Sequence, residues 1–463
     1  MTDHKPDRMR FTHFTSFAPA GPPGAMWNHP KARNFDYTNL DHWIKLAQAL
    51  EKAKFDGIFW ADVSSVHDVY QGSYATAVRE AMQFPIGDPL MLTAALAAST
   101  KELGFAFSAN VIQDHPYAFA RRLSTLDHLT RGRIAWNIVT SFQPSAWKNL
   151  GHDTIGDHGA RYEQAEEYVT VLYKLLEGSW EEDAVVRDLD RRVFADPQKV
   201  HAINHEGQYY RVPGIHTNEP SPQRVPFLFQ AGTSGDGRAF SAKNAEGMFV
   251  YAHTPEGAKK VIDDMKSRLA AEGRRPSDMQ FFVHLNFIVG STEEEAQRKS
   301  NEADAYLSSE ANITFSSSTM GTDLSAMDLD TPVGDFQTNA LQGQFKALAE
   351  AAPDKAWTFR EVVMSMTSSR IAGTPEQIAD TIEAWQAAGV NGINVGSVTG
   401  PDDTYDFLDH VVPVLQERGL MQKEYAPGTL REKLFFGSES PSGPRVNERH
   451  PAASYRTSNV LAT

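Results

Sequence analysis

The sequence predicts an α/β fold, a closed (β/α)8 TIM barrel with long insertions, on three observations. Eight short apolar runs alternate with helical patterns along most of the 463 residues. Those runs are nearly continuous in apolar residues, as strands covered on both faces must be. After the fifth run comes PFLFQAGTSGDGRAF, residues 226–240, a strand followed by a small-residue turn and a helix start. Small residues there admit a ligand to the backbone, and helix-opening amides point outward, which is how a phosphate is cradled.

The predicted strands cover 11–17, 57–61, 104–111, 133–140, 226–230, 247–252, 280–289 and 392–396. Helical patterns fall at 40–53, 89–100, 118–129, 160–176, 239–244, 256–271, 293–307 and 375–388, with a last one near 405–417. Strands alternating with helices predict a parallel sheet, and about eight of them predict closure. Two intervals are too long for simple connections. Residues 180–225 are rich in charge, Gly and Pro, and 307–371 hold a Ser/Thr-rich stretch (314–319) and a helical pattern at 339–351. Long insertions in a barrel tend to be lids or binding elements. The expected organisation is one barrel unit over 1–437 and a polar tail over 438–463 that docks weakly or stays disordered.

Composition narrows the function classes. Lys and Arg number 44 against 59 Asp and Glu, a formal charge of 44 − 59 = −15. An acidic chain without a basic run argues against nucleic acid or an anionic membrane as partner. No cysteine is present, which removes disulfides, thiolate nucleophiles and thiolate metal sites. MTDHKPDRMRF has no apolar signal region, and no run of about 18 apolar residues occurs. The expected location is the cytoplasm.

The cradle offers the hydroxyls of Thr233 and Ser234 among Gly232, Gly235 and Gly237. Its pattern is not G-x-G-x-x-G and it follows the fifth strand, so a dinucleotide site is not expected. The bland alternative is a Gly-rich connection without a ligand. Asp62 follows the second strand, where barrel enzymes place active-site groups, though a loop acid would look the same. Ser108 and Asn110 interrupt the third apolar strand, and Asn137, Thr140 and Ser141 end the fourth. Asn137 can serve the polar edge of a heterocycle or tie down a loop. His158 and Tyr162, four residues apart at a helix start, share one face. Such a pair is either a proton donor and anion ligand or structural. The sixteen histidines form no HExxH set, His201 and His205 lie in a hairpin-like NHEGQYY, and no G-x-S-x-G occurs. No metal site or serine nucleophile is therefore expected.

Several longer stretches carry a family likeness: GAMWNHP, LEKAKFDGIFWADV, RRLSTLDHLTRGRIAWNIVTS, DHGARYEQAEEY, VFADPQKVHAINHEGQYYRVPG, EPSPQRVPFLFQAGTSGDGRAF and VVPVLQERG. Together they resemble the flavin-dependent monooxygenases of the bacterial luciferase superfamily, in the branch of the nitrilotriacetate, dibenzothiophene sulfone and dimethyl sulfide monooxygenases. The resemblance spans roughly 11–437. It implies a luciferase-like barrel binding reduced FMN at its C-terminal face, with O2 as co-substrate. Flavin contacts then fall on Asp62, Ser108, His158, Tyr162 and Ser234, with Asn137 as a further cofactor-binding candidate. It also implies a small organic substrate, C–S or C–N cleavage as one outcome, a separate NAD(P)H-dependent flavin reductase, and a homodimer or homotetramer. Breakdown of a flavin or another aromatic heterocycle, and a non-catalytic flavin-binding barrel, are the alternatives. The 307–371 insertion is expected to keep water from the cofactor. One departure stands out. Several relatives carry a histidine shortly before the tryptophan of GAMWNHP, where this chain has Pro22 and Pro23. His13, His29 and His284 are possible substitutes, and no catalytic residue is assigned.

Overall fold

The computed structural model describes residues 8–20, 26–232, 234–332, 355–368, 370–436 and 443–456. The eight barrel strands are β1 (Arg10–Thr15), β2 (Gly57–Trp60), β3 (Gly104–Asn110), β4 (Ile134–Val139), β5 (Phe227–Gln230), β6 (Gly247–Phe249), β7 (Gln280–Val289) and β8 (Gly392–Gly396). They lie in the order β6-β5-β4-β3-β2-β1-β8-β7, and β6 pairs with β7 to close the ring. Every pair is parallel.

Side chains alternate across this sheet with period two. Phe59, Ala106, Ala135, Phe227, Phe229 and Phe282 fill the barrel interior as one cluster. Their neighbours Ile58, Phe105, Phe107, Trp136, Leu228 and Val283 join the larger cluster under the helices. That double burial explains why the strands read as unbroken apolar runs.

Besides the short helices Ala75–Arg79 and Pro144–Asn149, the helices in chain order are α1 (Leu40–Lys52), α2 (Pro89–Ser99), α3 (Pro116–Thr130), α4 (His158–Tyr173), α5 (Gly235–Asn244), α6 (Pro255–Ala271), α7 (Glu293–Asp304), α8 (Ser309–Met320), α9 (Phe359–Ser368), α10 (Pro375–Ala387), α11 (Asp402–Asp406) and α12 (Leu430–Phe435). α11 continues through a π-turn (Phe407–Val411) into Val412–Glu417. Local chemistry sets their starts. Asn39, Asp88, Thr254 and Thr374 each accept a backbone N–H of the first turn, and proline opens α2, α3, α6 and α10.

α12 plugs the N-terminal end of the barrel. Leu430, Leu434 and Phe435 join the interior cluster, and the Arg10 guanidinium donates to the Leu434 carbonyl at 2.8 Å. Arg431 meets Glu246 through two bonds of 2.8 Å, with both side chains buried. The ligand-accessible end is therefore the C-terminal one, where barrel enzymes place their chemistry.

The insertions gain definite structure, and one expectation, for the tail, is corrected. The Ser/Thr-rich stretch 314–319 is helical, part of α8. Thr314 and Thr319 turn their hydroxyls back to the carbonyls four residues earlier, which lets such residues sit inside a helix. α8 packs on α9 and on a short helix, Ala75–Arg79, through Ile313, Val362, Ala311 and Ala77. The 180–225 segment carries two hairpins, Val185–Asp188 with Val193–Ala195 and, around the NHEGQYY stretch read as hairpin-like, His205–Glu206 with Arg211–Val212. The C-terminal tail does not dock weakly over 443–456. Ala452, Ala453 and His450 are buried, and Arg445 and Arg456 both clamp the buried Glu177 carboxylate. Composition hid this because the tail's apolar contribution is only a few small residues. The helical pattern at 339–351 lies outside the described residues.

Candidate functional site

The tops of β4 and β5 converge on the N-terminus of α5. Ser234 caps that helix, its hydroxyl accepting from the Gly237 N–H at 3.0 Å. Gly232 and Gly237 meet here. A Cβ on Gly232 would lie 2.6 Å from the Gly237 Cα, and one on Gly237 would lie 2.8 Å from the Tyr162 hydroxyl. Gln230 holds the turn by accepting from the Gly232 N–H and from the Ser241 hydroxyl. The result is a tight turn in which the Gly232 and Gly237 N–H groups are bonded internally, at a helix start, the kind of place whose opening amides suit an anion. Thr233 lies outside the described residues.

α4 lays His158 and Tyr162 beside this turn. Their rings are 5.1 Å apart, and His158 Nδ1 lies 2.9 Å from the Asp236 carboxylate. Tyr162 bonds to Gln230 at 3.5 Å, and burial raises its hydroxyl pKa against opposing bonds from Gln230, Ser234 and Thr140. The structure therefore brings His158, Tyr162 and Ser234 together. It adds Arg161, which sequence reasoning missed. Its guanidinium donates to the Ser141 carbonyl, and its buried Nε has no partner among the described residues. Arg161 is thus a cation on the face of α4 that carries His158 and Tyr162. The signal was present, an arginine next to Tyr162 on the helix-opening face.

Ser108 and Asn137 form a second group inside the barrel, on adjacent strands in register. Asn137 Nδ2 donates to Ser108 Oγ at 2.9 Å, and both side chains are buried. Asn137 Oδ1 has no partner among the described residues, so a buried acceptor stands ready for a ligand N–H. β4 links the two groups, since Asn137 lies three residues before Thr140, which bonds Tyr162.

Asp62 sits one strand further round, past the end of β2, and its described interactions involve none of the other five. Burial and the nearby Asp88 charge raise its carboxyl from 3.8 to about 7. The folded chain therefore holds a proton between pH 3.8 and about 7 that the unfolded chain releases, so this group costs stability increasingly as pH rises through that window. Asp62→Asn is expected to raise the melting temperature of the cofactor-free protein by a few degrees at about pH 8 and to leave it unchanged near pH 4. Thermal unfolding across that range checks this; an equal shift at both ends would contradict it.

The proposed histidine substitutes separate. His284 lies inside the barrel against Phe14, ring centroids 4.5 Å apart, with Nδ1 3.1 Å from the Asn394 carbonyl. Its side chain is nevertheless exposed, unlike the strand residues on either side of it. His13 alternates with the inward Thr12 and Phe14, so it faces the helices, and burial lowers its pKa to about 4. His29 accepts from the Lys31 N–H and stacks edge-on against Tyr306. Pro22 and Pro23 lie outside the described residues.

A closed parallel barrel with polar groups gathered at its C-terminal mouth is the arrangement in which barrel enzymes place their chemistry. The sequence pattern of the family described as luciferase-like monooxygenase matches residues 9–392, and the chain belongs to that family. It is 42% identical over 439 residues to the dimethyl-sulfide monooxygenase of Hyphomicrobium sulfonivorans, covering 94% of this chain and 91% of that one. It is 44% identical over 438 residues to the long-chain alkane monooxygenase of Geobacillus thermodenitrificans, covering 94% and 95%. Among solved structures it matches riboflavin lyase with modified FMN and riboflavin, at a TM-score of 0.88 and 33% identity, covering 97% of this chain and 100% of that one. The relatives named as monooxygenases place the chain among the oxygenases. No helix among the described residues is long and apolar enough to cross a membrane.

Proposed function

We propose that the protein is the oxygenase component of a two-component system, using reduced FMN and O2 to oxygenate a small organic substrate. C–S or C–N bond cleavage follows where the oxygenated carbon bears that leaving group. A separate NAD(P)H-dependent reductase supplies the reduced flavin, and the protein works as a homo-oligomer.

The observation that carries this reading is the fit of two groups of residues to the two ends of FMN. The Gly232–Gly237 turn, Ser234, His158, Tyr162 and Arg161 suit the phosphate. The free Asn137 acceptor, fixed by Ser108, suits an N–H on the flavin's polar edge. When bound, reduced FMN supplies the electrons that activate O2 for transfer of one oxygen atom to the substrate. The chain's own tasks are to anchor the phosphate, hold the ring by Asn137 and Asp62, and keep water out. α8 and α9, packed through Ile313, Val362 and Val363, serve the last task.

Ser234→Ala tests the phosphate assignment. Removing a charge-assisted bond should weaken FMN about tenfold and riboflavin less than about twofold. The lost cap lowers stability for both by ~0.5–2 kcal/mol, so the ratio of the two dissociation constants is the readout. An equal loss for FMN and riboflavin would remove the phosphate role.

A further inference from the structure

His67 lies on the loop after β2, buried to 1% exposure, and nothing in the flavin assignment uses it. Its Nε2 is 3.1 Å from Gln83 Oε1. The other end of that amide donates, with Gln83 Nε2 3.5 Å from Ser16 Oγ. With the amide nitrogen turned to Ser16, its oxygen faces His67 and accepts, which places the ring proton on Nε2. Nδ1 is then a bare acceptor, and it has no partner among the described residues. Burial lowers this ring's pKa to about 4, so it stays neutral.

Two features show that the arrangement is held rather than incidental. Gln83 sits at φ +46°, a left-handed conformation that costs a non-glycine residue energy and persists where the surroundings impose it. The His67 ring also contacts two phenylalanines from different elements. Phe142, on the loop that follows β4 and its Asn137, stacks at 6.4 Å and 23°. Phe315, on α8, meets it edge-on at 5.4 Å. A neutral acceptor thus sits at the junction of the flavin-side loop and the insertion, against two aromatic rings.

We infer that His67 is a specificity residue for the substrate, selecting molecules that present a neutral hydrogen-bond donor, a hydroxyl or amide N–H, beside Phe142 and Phe315. Gln83 is its positioning residue, fixing the tautomer. The inference deepens the oxygenase reading and rests on it for the identity of the ligand as substrate. Purely apolar substrates leave Nδ1 buried and unpaired, and carboxylates meet a second acceptor; both are disfavoured.

The test uses FMN-loaded protein labelled with 15N-histidine, with His67 assigned by comparison with His67→Phe. The probes are two matched pairs: 2-(methylthio)ethanol against its methyl ether, and benzyl alcohol against benzyl methyl ether. In the free protein Nε2 should carry the proton and Nδ1 should be bare, without titrating near neutral pH. Each alcohol should move the Nδ1 resonance upfield and bind about fivefold more tightly than its ether, the contribution of one neutral hydrogen bond. Gln83→Leu and His67→Phe should abolish that preference while FMN binding stays unchanged. A proton on Nδ1, equal binding within both pairs, or a resonance that no probe moves overturns the inference. Failure of the protein to bind FMN would instead remove the oxygenase reading, while the tautomer and alcohol preference of His67 would still be read on the unloaded chain.

Discussion

A Gly237→Ala chain is expected to bind FMN at least about 100-fold more weakly than the parent, or ~2.7 kcal/mol. Gly237 opens the first turn of α5 directly against Gly232. The added methyl would lie 2.8 Å from both the Gly232 Cα and the Tyr162 hydroxyl, distances that backbone cannot tolerate. The turn must move away from the helix start, and Tyr162 must move with it. Overpacking of this kind costs ~1–3 kcal/mol in a well-packed site. The larger consequence is geometric, because the amides around Gly232 and the α5 N-terminus then no longer converge on one anion. Riboflavin, without the phosphate, should lose much less. Fluorescence titration with both flavins measures the effect, and melting temperature verifies that the chain still folds. Loss of both flavins in equal measure would move the phosphate elsewhere.

Arg431→Ala should destabilise the fold by ~3–5 kcal/mol while sparing the mouth. Arg431 and Glu246 are 2% and 1% exposed, and the pair is bidentate, with a third bond from Arg431 to the Val225 carbonyl at 2.9 Å. The neighbouring guanidinium offsets the burial of Glu246 and holds its carboxyl below the usual range. Truncating Arg431 strands that carboxylate in the plugged end of the barrel. Replacing both partners, as in Arg431→Met with Glu246→Leu, should recover most of the loss, because the desolvation cost disappears together with the attraction. Denaturant unfolding of the two variants distinguishes the cases. A loss below ~1 kcal/mol in the single variant would place the pair among exposed, weakly contributing bridges.

Local pattern carried the barrel. Every strand except β6 is at least four residues long and largely buried, and most helix starts are marked by a cap or proline within their own turn. What stayed hidden depends on contacts remote in sequence. The plug helix α12 is recognisable only through Arg10 with Leu434 and Arg431 with Glu246, separated by 424 and 185 residues. The tail over 443–456 reads as polar because only Val446, Ala452 and Tyr455 join the main core, beside arginines that answer Glu177 and Asp278 on the barrel. Within the site, Ser108–Asn137 and His158–Tyr162–Ser234 were legible from position on strand ends and one helix face. Arg161 was overlooked beside Tyr162. His67 carried no motif at all; its character comes from Gln83, Phe142 and Phe315, which only the folded chain brings to it.

The central claim, that this barrel transfers oxygen with reduced FMN, is tested most directly by isotopic incorporation. The purified protein is mixed with a flavin reductase, NADH, FMN and 18O2, and offered sulfides, sulfones, aminopolycarboxylates, hydroxylated thioethers and riboflavin. The account predicts one 18O atom in the product of at least one small substrate, or in the carbonyl left after C–S or C–N cleavage, with NADH consumed in proportion. Oxygen consumption no faster than that of free reduced flavin, with no label in any product, would contradict it and leave a flavin-binding barrel without oxygenase activity.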